Sequence, residues 1–308
     1  MTRVAGTLAT LVVMSILVFA LLYAAPGSVV DNIVGKQHQT PEIVAAVRQQ
    51  YGLDDPIWMQ YLHWLGRLFR GDLGESIHSQ ASVWSVFTSR GPLTFELCAM
   101  AFVMAVVVSV PLGVVSAVRG GGVLDRTIAG VSILGMSAPA FALGLLLLYA
   151  FAYYVPIFPL YGSGSGFLDH LRHLVLPAIT LAVGLAAVIV KLTRTAMLRE
   201  LDADYVTFAR ARGLPEKRVR RIALRNAAIP IVTASGLVLT YLVGGTILVE
   251  TTFSLAGLGR VLEDAVLYKD FAVVQFLTLV VALVIAVIAL VVDLLYLVLD
   301  PRLRTARR

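Results

Sequence analysis

Residues 204–230 read Asp204-Tyr-Val-Thr-Phe-Ala-Arg-Ala-Arg-Gly-Leu-Pro-Glu-Lys-Arg-Val-Arg-Arg-Ile-Ala-Leu-Arg-Asn-Ala-Ala-Ile-Pro230, a basic, helix-forming insert. It follows the apolar run Leu174 to Val190 and merges into a second one, Ala227 to Val249. Ten Lys and Arg residues fall between Lys191 and Arg225, while neither run holds a charge. A charge-dense segment bracketed in this way is a loop at a membrane face. The surrounding chain is 58% hydrophobic and 14% charged, with a mean hydropathy of +0.85, against roughly 45–50% apolar in soluble domains. Apolar surface in that excess has to face lipid.

Working outward, six charge-free stretches clear or approach the ~20 residues that a helix needs to cross a ~30 Å hydrocarbon core. They are Val4 to Ala25, Leu97 to Val118, Thr127 to Tyr154, Leu174 to Val190, Ala227 to Val249 and Phe271 to Val292. The fourth is short and is expected to extend past Lys191, whose stem lifts its ammonium to the interface. A β-barrel is excluded, because barrel strands alternate polar and apolar over about ten residues and these runs do not. Thr2-Arg3 and Tyr23-Ala-Ala-Pro26 give the first run some features of a cleaved signal peptide. Its length exceeds the roughly 7–15 residues of a signal core, which favours an uncleaved anchor.

With the N-terminus inside, the inner segments hold 17 basic residues and the outer ones 8, namely Lys36, Arg48, Arg67, Arg70, Arg90, Arg172, Arg260 and Lys269. This asymmetry puts both termini in the cytoplasm. The net charge of +6 is then a topology signal that needs no nucleic-acid partner. The lone cysteine, Cys98, falls within the second span and reads as an inert packing residue. His38, His63, His78, His170 and His173 lie outside without metal-ligand spacing.

The chain divides on this reading into a first span (1–25), an external helical segment (26–92) and a core (93–308) with five spans and a cytoplasmic loop at about 196–228. In the external segment, Thr40-Pro-Glu42 supplies an N-cap, a proline and an acid for one helix, and Gly52 its left-handed stop. A second helix starts at Asp55-Pro56. Ile57, Trp58, Tyr61, Leu62, Leu65, Leu68 and Phe69 make its apolar face, and Gly71 ends it. That face packs on the membrane interface or the span tops, or serves as a platform for an external partner. Two further outer segments follow: Val155 to Arg172, where Pro156, Pro159 and Gly162-Ser-Gly-Ser-Gly166 favour turns over a helix, and Thr251 to Asp270, a loop containing Gly257-Leu-Gly-Arg260. Pro111, Pro139, Pro177 and Pro230 interrupt spans, which is tolerated where backbone is buried or lines a wet cavity.

The chain holds no Gly-x-x-x-x-Gly-Lys-Ser/Thr phosphate loop: the one Gly-Lys pair, Gly35-Lys36, is followed by Gln37. An ion-driven carrier would bury ionisable groups near the midplane. Glu96, Lys191 and Glu250 read as span-edge residues, leaving Asp293 as the lone relay candidate, with a structural role near the inner interface preferred. Energy is therefore expected from another subunit through the insert. Asp204 caps a helix that runs to Arg212, Gly213 stops it, and Pro215 restarts a second helix rich in arginine. Ala209 and Ala211 leave room for close approach by a partner. A solvated basic loop on anionic lipid is the competing reading.

At these residues the chain resembles the permease subunits of ABC importers, within the dipeptide/oligopeptide/nickel family and close to its first, B-type, dipeptide permeases. The likeness to the family's coupling segment, the EAA loop, rests on Asp204-Tyr205-Val206, Ala209-Arg210-Ala211-Arg212-Gly213-Leu214 and Ala223-Leu-Arg225-Asn-Ala227, with Pro230 beyond; Glu216, between them, is counted with these as an expected coupling residue. Thr207 and Phe208 depart from it, standing where an acid and an alanine are usual. Family-like segments recur along nearly the whole chain: Tyr51-Gly-Leu-Asp54, Gln60-Tyr-Leu62, Arg70-Gly-Asp-Leu-Gly74, Ser137-Ala-Pro-Ala-Phe141, His173-Leu-Val-Leu-Pro-Ala178, Phe253-Ser-Leu-Ala-Gly-Leu-Gly259, Asp293-Leu-Leu-Tyr296 and Asp300-Pro-Arg302. Ser28 and Ala256 depart, where an acid and a proline are usual.

The resemblance implies an all-α integral membrane protein of the bacterial inner membrane, with six transmembrane helices in the type I ABC importer permease fold. It implies as partners a homologous second permease, two cytoplasmic ATPase subunits that bind ATP and Mg, an external substrate-binding protein, and lipid. No cofactor, metal site or catalytic residue is expected in this chain. Ser137, Pro139, Phe141, Thr240, Gly244 and Phe253 are the expected path or gate residues, and Trp58, Tyr61, Arg67, Gly257 and Gly259 the expected docking residues for the binding protein. Peptide is the expected cargo. Nickel or haem in the same architecture is the alternative, with a proton-coupled carrier as a second class and a membrane enzyme disfavoured.

Overall fold

The computed structural model describes residues 2–24, 30 and 40–299; Met1, 25–29, 31–39 and 300–308 lie outside it, and with them Ser28, Lys36, His38, Asp300 and Arg302. Among the described residues all regular structure is helical, apart from one antiparallel bridge between Glu75 and Ser82. The elements are α1 (Thr2–Ala24), α2 (Pro41–Tyr51), α3 (Ile57–Phe69), α4 (Val83–Val118), α5 (Val123–Ser137), α6 (Ala140–Leu148) with a π-helical turn (Tyr149–Tyr154), α7 (Phe167–Leu201), α8 (Asp204–Ala211), α9 (Glu216–Asn226), α10 (Ala228–Thr252), α11 (Leu258–Leu267) and α12 (Phe271–Leu299).

Five of these helices are long and apolar enough to cross a membrane, or six with α5 and α6 counted as one broken span. The break falls at Pro139, one of the prolines expected to interrupt a span. Pro139 pushes Ala138 into extended backbone (φ −77°, ψ 122°), and the two halves meet at 102°. The fourth span is far longer than its apolar run, since α7 continues through exposed Lys191 to Leu201. At 35 residues it extends about 52 Å, more than a hydrocarbon core is thick. The second span also starts early, at Val83, and residues 251–270, expected as a loop, contain α11.

The chain divides by its contacts into one unit of residues 1–92 and 257–287 and another of 93–256 and 288–308. In the first, Ser15, Phe19 and Tyr23 of α1 meet Gln60, Tyr61 and Trp64 of α3. Gly52 (φ +60°) and Gly71 (φ +80°) take the left-handed stops expected of them. A separate cluster joins Val83, Leu258, Ala265, Val273 and Leu277. Ser76 Oγ donates to Asp270 Oδ2 at 2.5 Å.

In the second unit, Leu97 and Ala101 of α4, Leu174, Ala178 and Leu181 of α7, and Leu242 and Val249 of α10 form the core. Small residues bring helices close: a Cβ at Gly113 would sit 2.6 Å from Thr193 Cβ and 2.9 Å from the Val190 carbonyl oxygen. Glu250 stands at the span edge expected of it, in the last turn of α10, and is fully buried there. Thr94 Oγ1 donates to its Oε1 at 2.6 Å.

Candidate functional site

The insert folds as two short helices on the end of α7. Ala203 takes the extended N-cap position (φ −72°, ψ 147°), so Asp204 is the first residue of α8 and makes no side-chain cap, correcting the capping role expected of it. Its carboxylate still lies at the positive end of the helix dipole. At the other end Gly213 has φ +74°, Leu214 N–H bonds to Ala209 O (3.2 Å) and Gly213 N–H to Arg210 O (2.9 Å). This is the Schellman arrangement, in which a residue without a Cβ lets the chain turn left while satisfying the last carbonyls. Pro215, extended at ψ 142°, then leads into α9.

Buried residues fix the pair to its base. Val206, Val219 and Ala223 have essentially no exposed surface, and Ala223 packs with Ala227, Ala196 and Met197. Tyr205 OH donates to Glu200 Oε2 at 2.7 Å, and burial together with that bond holds its phenol above the usual range. Across the turn Arg210 Nε reaches Glu216 Oε1 at 2.9 Å, both partners about half exposed. Asp204, Thr207, Phe208 and Ala211 follow the i, i+3, i+4, i+7 spacing and form one exposed stripe opposite Val206. Ala209 and Leu214 are half-buried, and Arg212 and Arg225 exposed. Phe208 is 69% exposed. Sequence reasoning had treated it only as a departure from a pattern, yet an exposed aromatic on a short polar helix is itself a partner signal.

Below the insert lies a second feature that the sequence did not disclose. Asp125 at the start of α5 is buried, and Arg194 of α7 grips it at 2.6 Å and 2.7 Å. Ser116 Oγ and the Gly121 N–H donate to the same carboxylate, at 2.5 Å and 2.9 Å. The fork thereby ties the α4–α5 turn to α7, the helix that carries the insert.

The expected path residues scatter over α5, α6 and α10. Ser137 is exposed and donates to Ile133 O (2.9 Å), Pro139 makes the break, and Phe141 is half exposed just beyond it. Thr240 donates to Gly236 O (3.2 Å), and Gly244 is open, with no neighbouring atom within 4 Å of where a Cβ would stand. Phe253 follows α10. It is buried in the core, and a Cβ on Gly144 of α6 would meet its ring at 3.1 Å. The exposed face of α10 is a stripe of Leu237, Tyr241, Gly244 and Leu248, which the unbroken hydropathy of that span concealed. Among the expected docking residues, Tyr61 faces α1, Arg67 lines a small cavity with Tyr23 and Glu75, and Gly257 and Gly259 are buried; Trp58 is 58% exposed.

A multi-helix core of apolar helices bearing a basic two-helix insert defines the class, an integral membrane protein. The chain belongs to the family of inner-membrane components of binding-protein-dependent transport systems, whose model matches residues 109–305, with the family's N-terminal component matching residues 1–98. It is 37% identical to the dipeptide transport system permease protein DppB of Escherichia coli (strain K12), over 98% of this chain and 97% of that one. It is 36% identical to the di/tripeptide transport system permease protein DppB of Pseudomonas aeruginosa (strain UCBPP-PA14), over 95% and 94%. With the glutathione transport system permease protein GsiC of Escherichia coli O6:H1 it shares 37% identity over 89% and 88%. A chain of the inward-facing MetNI methionine ABC transporter aligns with a TM-score of 0.58 over 70% of this chain and 96% of its own, at 21% identity, a likeness of fold.

Proposed function

We propose that this permease imports dipeptides and oligopeptides, pairing with a homologous second permease to enclose the path, with two cytoplasmic ATPase subunits that bind ATP and Mg, and with an external substrate-binding protein. The near full-length likeness to permeases named for dipeptides, di- and tripeptides and glutathione supports peptide over nickel or haem. Both termini are cytoplasmic on this reading, as the 17 to 8 distribution of basic residues favours.

The observation that carries the mechanism is the capped α8 with its exposed stripe, held on the end of α7. The stripe of Asp204, Phe208 and Ala211, with Tyr205, Ala209, Arg210, Arg212, Gly213, Leu214, Glu216 and Arg225 around it, enters a cleft on one ATPase. Closure of the ATPases on nucleotide then moves α8 as a rigid piece and α7 with it. Ser137, Pro139, Phe141, Thr240 and Gly244 border the path, and Phe253 acts from behind it by packing on Gly144. The external binding protein supplies most of the selectivity, because a tight site in the path would slow release.

The test is dipeptide uptake and ATPase retention by the purified assembly carrying Gly213→Val. No atom lies within 4 Å of a Cβ at this position, so the cost is torsional, roughly 1–2 kcal/mol or more for a β-branched residue in the left-handed region. Loss of retained ATPase together with uptake supports the reading, whereas full retention and full uptake would refute a docking role. Orientation is tested apart from this, by a membrane-impermeant maleimide on intact cells: Arg70→Cys is expected to react and Arg221→Cys to stay protected.

A further inference from the structure

We infer that α3 lies within the membrane interface, alongside the half of α1 that ends at Ala24, with a stripe of its side chains against lipid acyl chains. On the orientation proposed above this is the outer leaflet; the inference itself rests only on α1 crossing the bilayer. The depth comes from contacts. The apolar part of α1 runs Ala5–Ala24, 20 residues and about 30 Å at helical rise, a length that fills a hydrocarbon core. Ser15 lies nine residues before Ala24, roughly 13 Å inside that end. Its hydroxyl is 2.7 Å from Tyr61 OH of α3. Phe19, one turn further along, meets the rings of Tyr61 and Trp64 at 5.5 Å and 5.7 Å, and Tyr23 bonds to Gln60. The contacts of α3 with α1 thus run from residue 15 to residue 23, beside the membrane-crossing part of that helix.

The perimeter of α3 fits such a position. At about 100° per residue, Gln60, Tyr61 and Trp64 make the sector turned toward α1. Trp58, Leu62, Leu65 and Phe69, spaced i, i+4, i+7, i+11, make a second line that leaves the packed sector, and Trp58, Leu62 and Phe69 are 58%, 54% and 83% exposed. His63 and Arg70, also exposed, occupy a third sector about a third of a turn away from that line. An apolar line beside a polar one is the surface of a helix lying in the interface, its apolar side some 5–10 Å into the headgroup and acyl boundary and its cation near the phosphates. The side of α1 turned away from these contacts is itself apolar and open, with Leu17 and Leu21 55% and 45% exposed, as a helix facing lipid requires. A phospholipid bilayer is the occupant, and Trp58 is an interfacial anchor in place of the external docking contact expected of it.

The complete assembly in phospholipid nanodiscs, in a Cys98→Ala background, tests this with a nitroxide at Leu62→Cys, Phe69→Cys or Arg70→Cys and collision rates with oxygen and with a water-soluble nickel chelate. Oxygen is expected to dominate at 62 and 69 and nickel at 70. Nickel dominance at 62 and 69 would place the stripe in water, and loss of both collisions would place it under protein; either result overturns the inference. Saturating external binding protein should leave the values at 62 unchanged. A fall in both collision rates there on its addition would make the stripe a docking platform and refute the lipid assignment. With the stripe kept native, Trp58 as sole tryptophan (Trp64→Phe, Trp84→Phe) should be quenched by brominated acyl chains more than by aqueous iodide, and the reverse order would refute the inference.

Discussion

The insert and the α2–α3 segment are each two short helices with glycine stops at positive φ, one in the insert, Gly213 after α8, and two in the other, Gly52 and Gly71. They differ in what the helices bury and what they leave open. In the insert small and branched aliphatics, Val206, Val219 and Ala223, go inward, and a mixed stripe around one aromatic, Phe208, faces out. In α3 a glutamine and two aromatics go inward to α1 while a line of large apolar residues stays open. Glycine stops therefore end α2, α3 and α8 alike, and the partners proposed above follow from the face each segment leaves uncovered: a protein cleft for one, lipid for the other. Phe208, alone among Asp204, Thr207 and Ala211, supplies area for a protein hot spot. Trp58, Leu62 and Phe69 supply a surface that water would not tolerate as a monomer's free face.

The change with the largest expected effect tests whether the insert depends on its base as α3 depends on α1. Arg194→Ala leaves the buried Asp125 carboxylate, among the described residues, with Ser116 and Gly121 as its hydrogen-bond partners. Removing one side of such a pair strands a charge, which destabilises more than the pair's presence stabilises. We expect the variant assembly to show the greatest loss of detergent-solubilised yield and thermal midpoint of the changes proposed. Arg194→Lys should recover only part of it, because a lysine cannot reproduce the two-pronged contact. Equal stability of Arg194→Ala and the native chain would show that the fork carries little.

Next comes helix approach in the core. Gly113→Ala introduces a Cβ 2.9 Å from the Val190 carbonyl oxygen, a backbone atom that can yield only by moving α7. Overpacking of this kind costs roughly 1–3 kcal/mol. A matching fall in thermal midpoint is expected, and with α7 displaced, uptake should fall while the insert's own helices remain. Unchanged uptake would separate the position of α7 from coupling.

These two positions also show where reading from sequence stops. The α8 helix, its glycine stop and the restart at Pro215 are local, each set by residues within a few positions, and they were legible apart from the cap, which shifted from Asp204 to Ala203. Pro139 was legible as an interruption, but the 102° bend depends on how α6 packs, with Gly144 against Phe253 more than a hundred residues away. Glu250 was legible as an edge residue but its burial was not, because its partner Thr94 is 156 positions distant, and the Asp125–Arg194 fork was invisible because 69 positions separate its halves. The stripe on α10 was hidden for another reason: that span is apolar on every face, so periodicity does not report which one is covered; on α3 the apolar face was legible, but not that Tyr61 within it is turned to α1 while Trp58, Leu62 and Phe69 stay open.

Phe208→Ala sharpens the comparison directly, since it removes the one large apolar group of the α8 stripe and nothing that holds the insert. Truncating an aromatic hot spot costs about 2 kcal/mol or more, or a roughly 30-fold weaker ATPase association at 1.4 kcal/mol per decade. Thermal stability of the isolated permease pair should stay unchanged. Native ATPase association in Phe208→Ala would remove the distinction drawn here between a protein-facing stripe and a lipid-facing one.

The smallest effect is expected at Arg210, whose ion pair with Glu216 closes the insert's turn. With both side chains about half exposed, the pair gains little over its hydrated ends, on the order of 0–1 kcal/mol, and salt screens it. The Schellman bonds from Leu214 and Gly213 already fix the turn without it. Arg210→Gln should therefore leave the helices and thermal midpoint as they are and change ATPase retention less than tenfold at low salt, with no further difference at high salt. A larger loss, present at low salt and absent at high salt, would mean that Arg210 contacts the ATPase with its own charge. Protein recognition by the insert would then be electrostatic at its turn as well as apolar at Phe208, and the contrast with α3, whose exposed line carries no charge at all, would be sharper still.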